Sequence, residues 1–179
     1  TEIGWPSAGK LGIPPARAAD YASQTLLTLR SLGYVHGAWW YNLYDKGTDP
    51  ADQELNFGLL TEDGRRKPAF AAFASVAQLV QQTRSVERLP APGSVWALRF
   101  SLGAQQDDVL ALWSSEAAPG RWQAAVSGAS ARVRSQRHTA MSAMPASPAL
   151  RLDASPLLLT IPAAQSRSMQ LQVVPTPPG

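Results

Sequence analysis

The run YVHGAWWYNLY, residues 34–44, consists almost entirely of apolar and aromatic side chains. Such a run is typical of a β-strand that is buried on both faces, as in the parallel sheets of α/β proteins. The sequence therefore predicts an interior strand here, with other structure covering both of its faces.

The segments on either side of this strand have the pattern of helices. PPARAADYASQTLLTLRSLG (14–33) begins with two prolines, which suit a helix start, and ends with a glycine, which suits a helix stop. After the polar loop DKGTDPADQELN (45–56), Pro68 opens a second helix. The expected buried stripes are Leu26, Leu29 and Leu32 in the first helix and Phe70, Phe73, Ala77 and Val80 in the second.

The chain opens with TEIGW (1–5), which has the pattern of a strand end running into a loop rich in Pro, Gly and Ser. Strand, helix, strand and helix in this order are typical of a parallel α/β arrangement. A parallel sheet of only two strands would leave open edges and apolar faces, so residues 1–83 are expected to belong to a larger sheet.

From residue 84 the hydrophobic period changes to that of short strands. SVWALRFSL, DVLALW, WQAAV, PLLLTI and MQLQVV follow one another, separated by Pro, Gly, Ser and Asp. Many short strands with turn signals between them predict an antiparallel β-sandwich over residues 84–175. Residues 176–179 are expected to form a tail.

Composition excludes several classes of function. The 179 residues carry a net charge of +3, and the basic residues are not clustered as nucleic-acid binding requires, so no nucleic-acid partner is expected. No apolar run approaches the roughly 18 residues that span a bilayer, so no transmembrane segment is expected.

Chemistry based on metals, thiols or phosphates has no support in the sequence. The chain has no cysteine, and its two histidines, His36 and His138, lie in no ligand pattern, so no metal site is expected. There is no Gly-x-Ser-x-Gly elbow and no glycine-rich phosphate loop. No cofactor is expected either.

TEIGWPS (1–7), AWWYNLYDKGTDPADQELNFGLLTEDGRRKPAFAAF (38–73) and the β-rich remainder together resemble the C-terminal part of clan A glycoside hydrolases, of the family 39 or family 5 type. In these enzymes an eightfold β/α barrel precedes a small β-sandwich. The resemblance implies that residues 1–83 are the last two β/α units of the barrel, incomplete in this chain. It also implies a bacterial, secreted or periplasmic enzyme that acts on a polysaccharide or oligosaccharide.

The resemblance implies that Glu2, at the end of barrel strand seven, is the nucleophile of a retaining glycosidase. Barrel enzymes place their chemistry at the C-terminal ends of the strands. The family's acid/base is a glutamate after an asparagine, and no Asn-Glu pair occurs in this sequence. We therefore expect the acid/base on a missing N-terminal barrel portion of the same protein, and no glycosidase activity from these 179 residues alone.

Five residues are expected to contact the sugar in this reading. By the resemblance, Trp40 forms the floor of the sugar site, while Trp39 and Tyr41 point the other way, into the helix layer. Trp5 lines a subsite or caps the barrel rim. Asn42, Asp45 and Glu54 could bond sugar hydroxyls from the loop after the second strand, or could simply order that loop.

Three functions remain open from the sequence. The first is a retaining glycoside hydrolase. The second is a non-catalytic carbohydrate-binding protein or exopolysaccharide assembly factor, which an upstream Asn-Glu pair would argue against. The third makes the β-rich domain a sugar-binding module, which an exposed row of aromatic side chains on one sheet face would favour. Sugar identity, linkage and endo or exo action depend on loops that this chain does not contain.

Overall fold

The computed structural model describes residues 2–115, 120–135, 142–143 and 149–177. The chain divides into two compact units, Thr1–Gln78 and Leu79–Gly179, and each is described by itself. The division falls inside a helix, a few residues before the expected boundary between residues 83 and 84. Within the described residues, no helix has both the length and the apolar character that crossing a membrane requires.

The first unit is built on a pair of parallel strands followed by helices. Strand β1 is Glu2–Ile3, helix α1 is Pro15–Ser31, strand β2 is Trp39–Trp40, and helix α2 is Pro68–Gln82. A short 3-10 helix, Gln53–Leu55, lies in the loop between β2 and α2. The predicted order of strand, helix, strand and helix is thus present, and the mixed α/β character of the chain is confirmed.

Both helices begin at the predicted prolines, but their buried faces differ from the expected stripes. The buried apolar residues are Ala18, Ala19, Ala22 and Leu27 in α1 and Ala69, Ala72, Val76 and Leu79 in α2. Small side chains on these faces allow a close approach, and the Ser23 hydroxyl in α1 reaches the carbonyl oxygen of Ala72 in α2 at 3.4 Å. Phe70 and Phe73 of the predicted α2 stripe do pack, half-buried, against the apolar cluster of this unit. The leucine stripe of α1 is only half-buried, because the closest helix contacts are made by alanine rather than by the largest apolar residues.

The prediction that residues 34–44 form a strand buried on both faces is also wrong. Only Trp39–Trp40 is strand, and Trp39, Leu43 and Tyr44 are exposed. Among the described residues, β2 has one strand neighbour, β1. Of residues 34–44, Trp40 is the one that packs against the apolar cluster formed by α1 and α2. The opposite face of the pair stays open.

The second unit, which we call the two-sheet unit, contains two antiparallel sheets. The larger sheet has the strand order β3-β4-β5-β10-β7-β8 and the smaller β11-β6-β9. Its strands are β3 Ser85–Arg88, β4 Val95–Ser101, β5 Asp108–Ser114, β6 Trp122–Ser127, β7 Arg132–Ser135, β8 Ser142–Ala143, β9 Leu150–Leu152, β10 Leu157–Ile161 and β11 Gln170–Pro175. A one-turn helix, α3 (Ala163–Ser166), joins the last two strands.

One apolar cluster joins the two sheets. The larger sheet contributes Val95, Ala97, Leu110, Leu112, Leu159 and Ile161, and the smaller contributes Ala124 and Leu152. These residues alternate along their strands, as expected for inward-facing positions of a sheet. The two-sheet unit therefore has a hydrophobic core of its own.

Candidate active site

Glu2 and Trp39 are direct partners in the parallel register of β1 and β2, and Ile3 is paired with Trp40. Partners in register project to the same side of a sheet, and successive residues alternate between sides. Glu2 and Trp39 are both exposed, whereas Ile3 and Trp40 are half-buried. The open face of the strand pair thus carries a glutamate and a tryptophan at paired backbone positions.

Tyr41 continues this arrangement just beyond β2. Its backbone N–H donates to the carbonyl oxygen of Ile3 at 2.9 Å, which fixes it next to the end of β1. Its ring packs edge-on against Phe57, with centroids 5.5 Å apart. The Lys46 Nζ donates to the Tyr41 hydroxyl at 2.6 Å and lies 4.7 Å from the centre of the ring.

The Tyr41–Lys46 contact perturbs both groups. The hydrogen bond from Lys46 lowers the pKa of Tyr41 below its ordinary value. The same bond raises the pKa of Lys46, and the negative charges of Glu54 and Glu2 add to this effect. Glu2, Tyr41, Lys46 and Glu54 therefore share one electrostatic environment.

Trp40 lies on the other side of the strand pair, which corrects the predicted orientation of this segment. Its ring centre is 5.6 Å from that of Trp5 and 6.0 Å from that of Phe73 in α2. Trp5 in turn contacts Tyr21 of α1, with ring centres 5.1 Å apart. Trp40 thus points into the helix layer and Trp39 away from it, the reverse of the prediction, because the covered face is the one that carries Ile3.

Asp45 lies in a buried network rather than on the open face. Its carboxylate accepts from Lys67 Nζ, with an ion-pair distance of 2.6 Å, and from the backbone N–H of Gly58 at 2.8 Å. Lys67 also donates to the Ser7 hydroxyl at 2.8 Å. This network ties the loop after β1 to the loop after β2, so it positions the two segments that follow Glu2 and Trp39.

The other two predicted loop residues have different surroundings. Asn42 is half-buried, and its backbone pairs with Phe57 and Leu59 at 3.2 Å and 3.1 Å. Glu54 is exposed on the 3-10 helix, whose first turn is capped by the Asp52 carboxylate. Of the six residues expected at the site, Glu2 and Glu54 are exposed, Asn42 is half-buried in the loop, and Trp5, Trp40 and Asp45 lie in the packed layer or the buried network.

Sequence reasoning missed Lys46 and misplaced Tyr41. The alternation of residues 39–41 indicates that Tyr41 and Trp39 lie on the same face of the strand. It does not indicate whether that face is the open one or the one covered by the helices. Lys46 gave no signal, because its contact with Tyr41 depends on the path of the loop. No group of three or more His, Asp or Glu side chains suited to a metal ion occurs within the ranges that the structure describes.

The fold resembles that of glycoside hydrolases. One solved structure, a family 39 glycoside hydrolase from the gut symbiont Bacteroides cellulosilyticus WH2, matches over 90% of this chain and 33% of its own, with a TM-score of 0.71 and 24% identity. A family 30 endoxylanase from Clostridium papyrosolvens C71 matches over 90% of this chain and 40% of its own, with a TM-score of 0.53 and 12% identity. No family model and no curated protein matches the chain.

The chain therefore spans between a third and two fifths of the length of these structures. The resemblance to clan A glycoside hydrolases inferred from the sequence is confirmed at the level of fold. The residues described here have the fold of a C-terminal part of such enzymes.

Proposed function

We propose that this chain is the C-terminal part of a retaining glycoside hydrolase that acts on a polysaccharide or oligosaccharide, and that Glu2 is its nucleophile. The observation that carries the proposal is the pairing of Glu2 with Trp39 on the open face of a parallel strand pair. The fold in which this pair occurs resembles that of a family 39 glycoside hydrolase. Residues 1–83 would be the last two units of the barrel, and residues 84–175 an appended β-sandwich.

The proposed chemistry needs a carboxylate that can reach a sugar from the C-terminal end of a barrel strand. Glu2 is exposed and is paired in register with Trp39, an exposed residue whose ring could cover the apolar face of a pyranose. It would attack the anomeric carbon to form a glycosyl-enzyme, while a second carboxyl protonates the leaving oxygen and then activates water. In retaining enzymes the two carboxyl groups lie about 5–5.5 Å apart.

The acid/base would come from upstream barrel strands of the same protein. Trp5, Trp40, Asn42 and Asp45 would act behind the site, by fixing β2 and the two loops, and Glu54 would lie at its rim. Trp39 would be covered by substrate, and the exposed apolar positions Leu43 and Tyr44 by the rest of the barrel. We further propose that the complete protein is exported, as a secreted or periplasmic enzyme.

The two alternatives have less support. A sugar-binding two-sheet unit would present aromatic side chains to solvent, yet the exposed large apolar residues of the described chain all lie in the first unit. In the two-sheet unit Trp113 is buried, and Trp96 stacks on it with ring centres 5.4 Å apart. The non-catalytic alternative differs from the proposed hydrolase in that Glu2 would not be needed for any turnover, and the experiment below tests this difference.

The test uses the full-length protein and activated aryl glycosides. Glu2→Gln should abolish turnover, whereas the matched control Glu62→Gln, which alters an exposed glutamate of the same unit with no role at the site, should keep it. In Glu2→Ala, added azide should restore release of the aryl group and give a glycosyl azide of inverted configuration, because azide replaces the missing nucleophile. Unchanged rates in Glu2→Gln would remove Glu2 from the mechanism, and full-length wild-type protein that binds sugars without hydrolysing them would favour the non-catalytic alternative.

A further inference from the structure

Lys46 presents a fixed ammonium group at the open face of the strand pair. Its backbone N–H donates to the carbonyl oxygen of Leu55 at 2.9 Å, which anchors the loop. Its side chain is held by the Tyr41 hydroxyl and the Tyr41 ring. A lysine restrained at both ends loses less conformational entropy when it binds a ligand than a freely moving surface lysine does, because it is already ordered.

The ammonium has no carboxylate in salt-bridge contact among the described residues, although it lies in a negative environment. The acidic groups whose charges act on it are Glu54 in the 3-10 helix and Glu2 in β1, and Tyr41 is the titratable group in direct contact with it. The other lysine of this region, Lys67, is instead neutralised by Asp45 in a buried pair. The charge of Lys46 is therefore open to an incoming ligand.

We propose that Lys46 is a specificity-determining residue that binds an anionic substituent of the sugar, a carboxylate or a sulfate, in the site beside Glu2. The proposal rests on the proposed function, since it takes the open face as the sugar site. It names Lys46 as the donor and Tyr41 as the residue that positions it.

The charges explain why an anionic sugar would need this residue. The negative charges of Glu2 and Glu54 act on Lys46 and would disfavour an anionic substituent bound beside it, and the ammonium group offsets that repulsion. A charge-assisted hydrogen bond from the ammonium adds to the attraction. A neutral sugar meets no such repulsion, so Lys46 is needed for anionic substrates and dispensable for neutral ones.

The experiment compares substrates that differ only at the fifth carbon of the ring. Full-length protein is assayed with an aryl xyloside, glucoside, glucuronide and glucoside 6-sulfate, which carry hydrogen, hydroxymethyl, carboxylate and sulfate. The variants are Lys46→Met, Lys46→Arg and the control Lys10→Met, which removes an exposed lysine elsewhere in the first unit. Binding of the same sugars to Glu2→Gln is measured in parallel by calorimetry.

We expect Lys46→Met to lower kcat/KM for the preferred anionic substrate about 10- to 100-fold, the value of one charge-assisted hydrogen bond, and to leave neutral substrates within about twofold. Lys46→Arg should retain the anionic preference, and Lys10→Met should match the wild type. A carboxylate preference would identify uronic acids as the ligand class, and a sulfate preference would identify sulfated sugars.

The outcomes of this experiment distinguish failure of this inference from failure of the proposed function. Turnover of neutral sugars with no anionic preference, or an equal loss for all substrates in Lys46→Met, would overturn the inference and leave the glycosidase proposal standing. If nothing is hydrolysed but Glu2→Gln binds the glucuronide or the sulfate in a Lys46-dependent manner, the inference stands and the glycosidase proposal fails.

Discussion

Trp39 and Trp40 are adjacent in the chain and lie on opposite faces of the β1–β2 pair, one beside Glu2 and the other against helix α2. Trp39 is 64% exposed, whereas Trp40 packs in an aromatic and alanine cluster. Two neighbouring tryptophans thus have separate roles, one facing the open site and one supporting the fold beneath it.

The two tryptophans should respond differently to truncation. Trp40→Ala removes packing against Trp5 and Phe73 and should lower the free energy of unfolding by about 2 kcal/mol or more. Trp39→Ala should change that free energy by less than about 0.5 kcal/mol, since the ring is largely exposed, and should instead weaken sugar binding. Denaturant unfolding and calorimetric sugar titration of full-length variants measure the two effects, and an exchange of the two phenotypes would contradict the face assignment.

The Asp45–Lys67 pair should be important for stability. Lys67→Met leaves a buried carboxylate without its cation and should cost about 3–5 kcal/mol of unfolding free energy. The exposed Asp63–Arg65 pair provides the matched control, because Arg65→Met should cost less than about 1 kcal/mol. Similar losses in both variants, measured by chemical denaturation, would show that burial of the Asp45–Lys67 pair does not govern its contribution.

Gly4 should not tolerate a side chain. An added Cβ would lie 2.0 Å from the carbonyl oxygen of Tyr41, a backbone atom that cannot turn aside as a flexible side chain can. We expect Gly4→Ala to destabilise by about 1–3 kcal/mol and to disturb the site, because the segments after β1 and β2 would have to separate. Gly33→Ala, where a Cβ meets nothing within 4 Å, should fold as the wild type does.

The Tyr41 phenol should titrate below its ordinary value of 10.0 because Lys46 donates a hydrogen bond to it. A lowered pKa means that the fold favours the phenolate. The resulting contribution to stability is present in full above pH 10 and is lost as the pH falls through the pKa of Tyr41 in the fold. The raised pKa of Lys46 works in the opposite direction, since it contributes below the ordinary lysine value of 10.5 and is lost as the pH rises through the shifted value.

Ultraviolet difference titration of wild type against Tyr41→Phe isolates this phenol from the other tyrosines of the protein. Lys46→Met should move its pKa back upward. Tyr34→Phe, which alters an exposed tyrosine, should leave the Tyr41 transition in place. A Tyr41 transition at the ordinary value in the wild type would argue against the contact with Lys46.

Helix starts, the succession of strands and helices along the chain, and the fold relationship could be inferred from the sequence because they depend on local chemistry. Pro15 and Pro68 fix the start of each helix through the geometry of the proline ring, whatever packs against it. The alternation of strands and helices, and the change to short strands after residue 84, likewise follow from spacing and turn residues.

The faces of these elements depend on the tertiary structure. An alternating segment such as 39–41 establishes that Trp39 and Tyr41 share a face opposite Trp40, but the covered face is set by where α1 and α2 pack. For the same reason most of the fully buried helix positions are alanine, since the closeness of two packed helices depends on the partner surface. The Lys46–Tyr41 contact and the Asp45–Lys67 pair join residues through loop paths, which hydrophobic patterns do not encode.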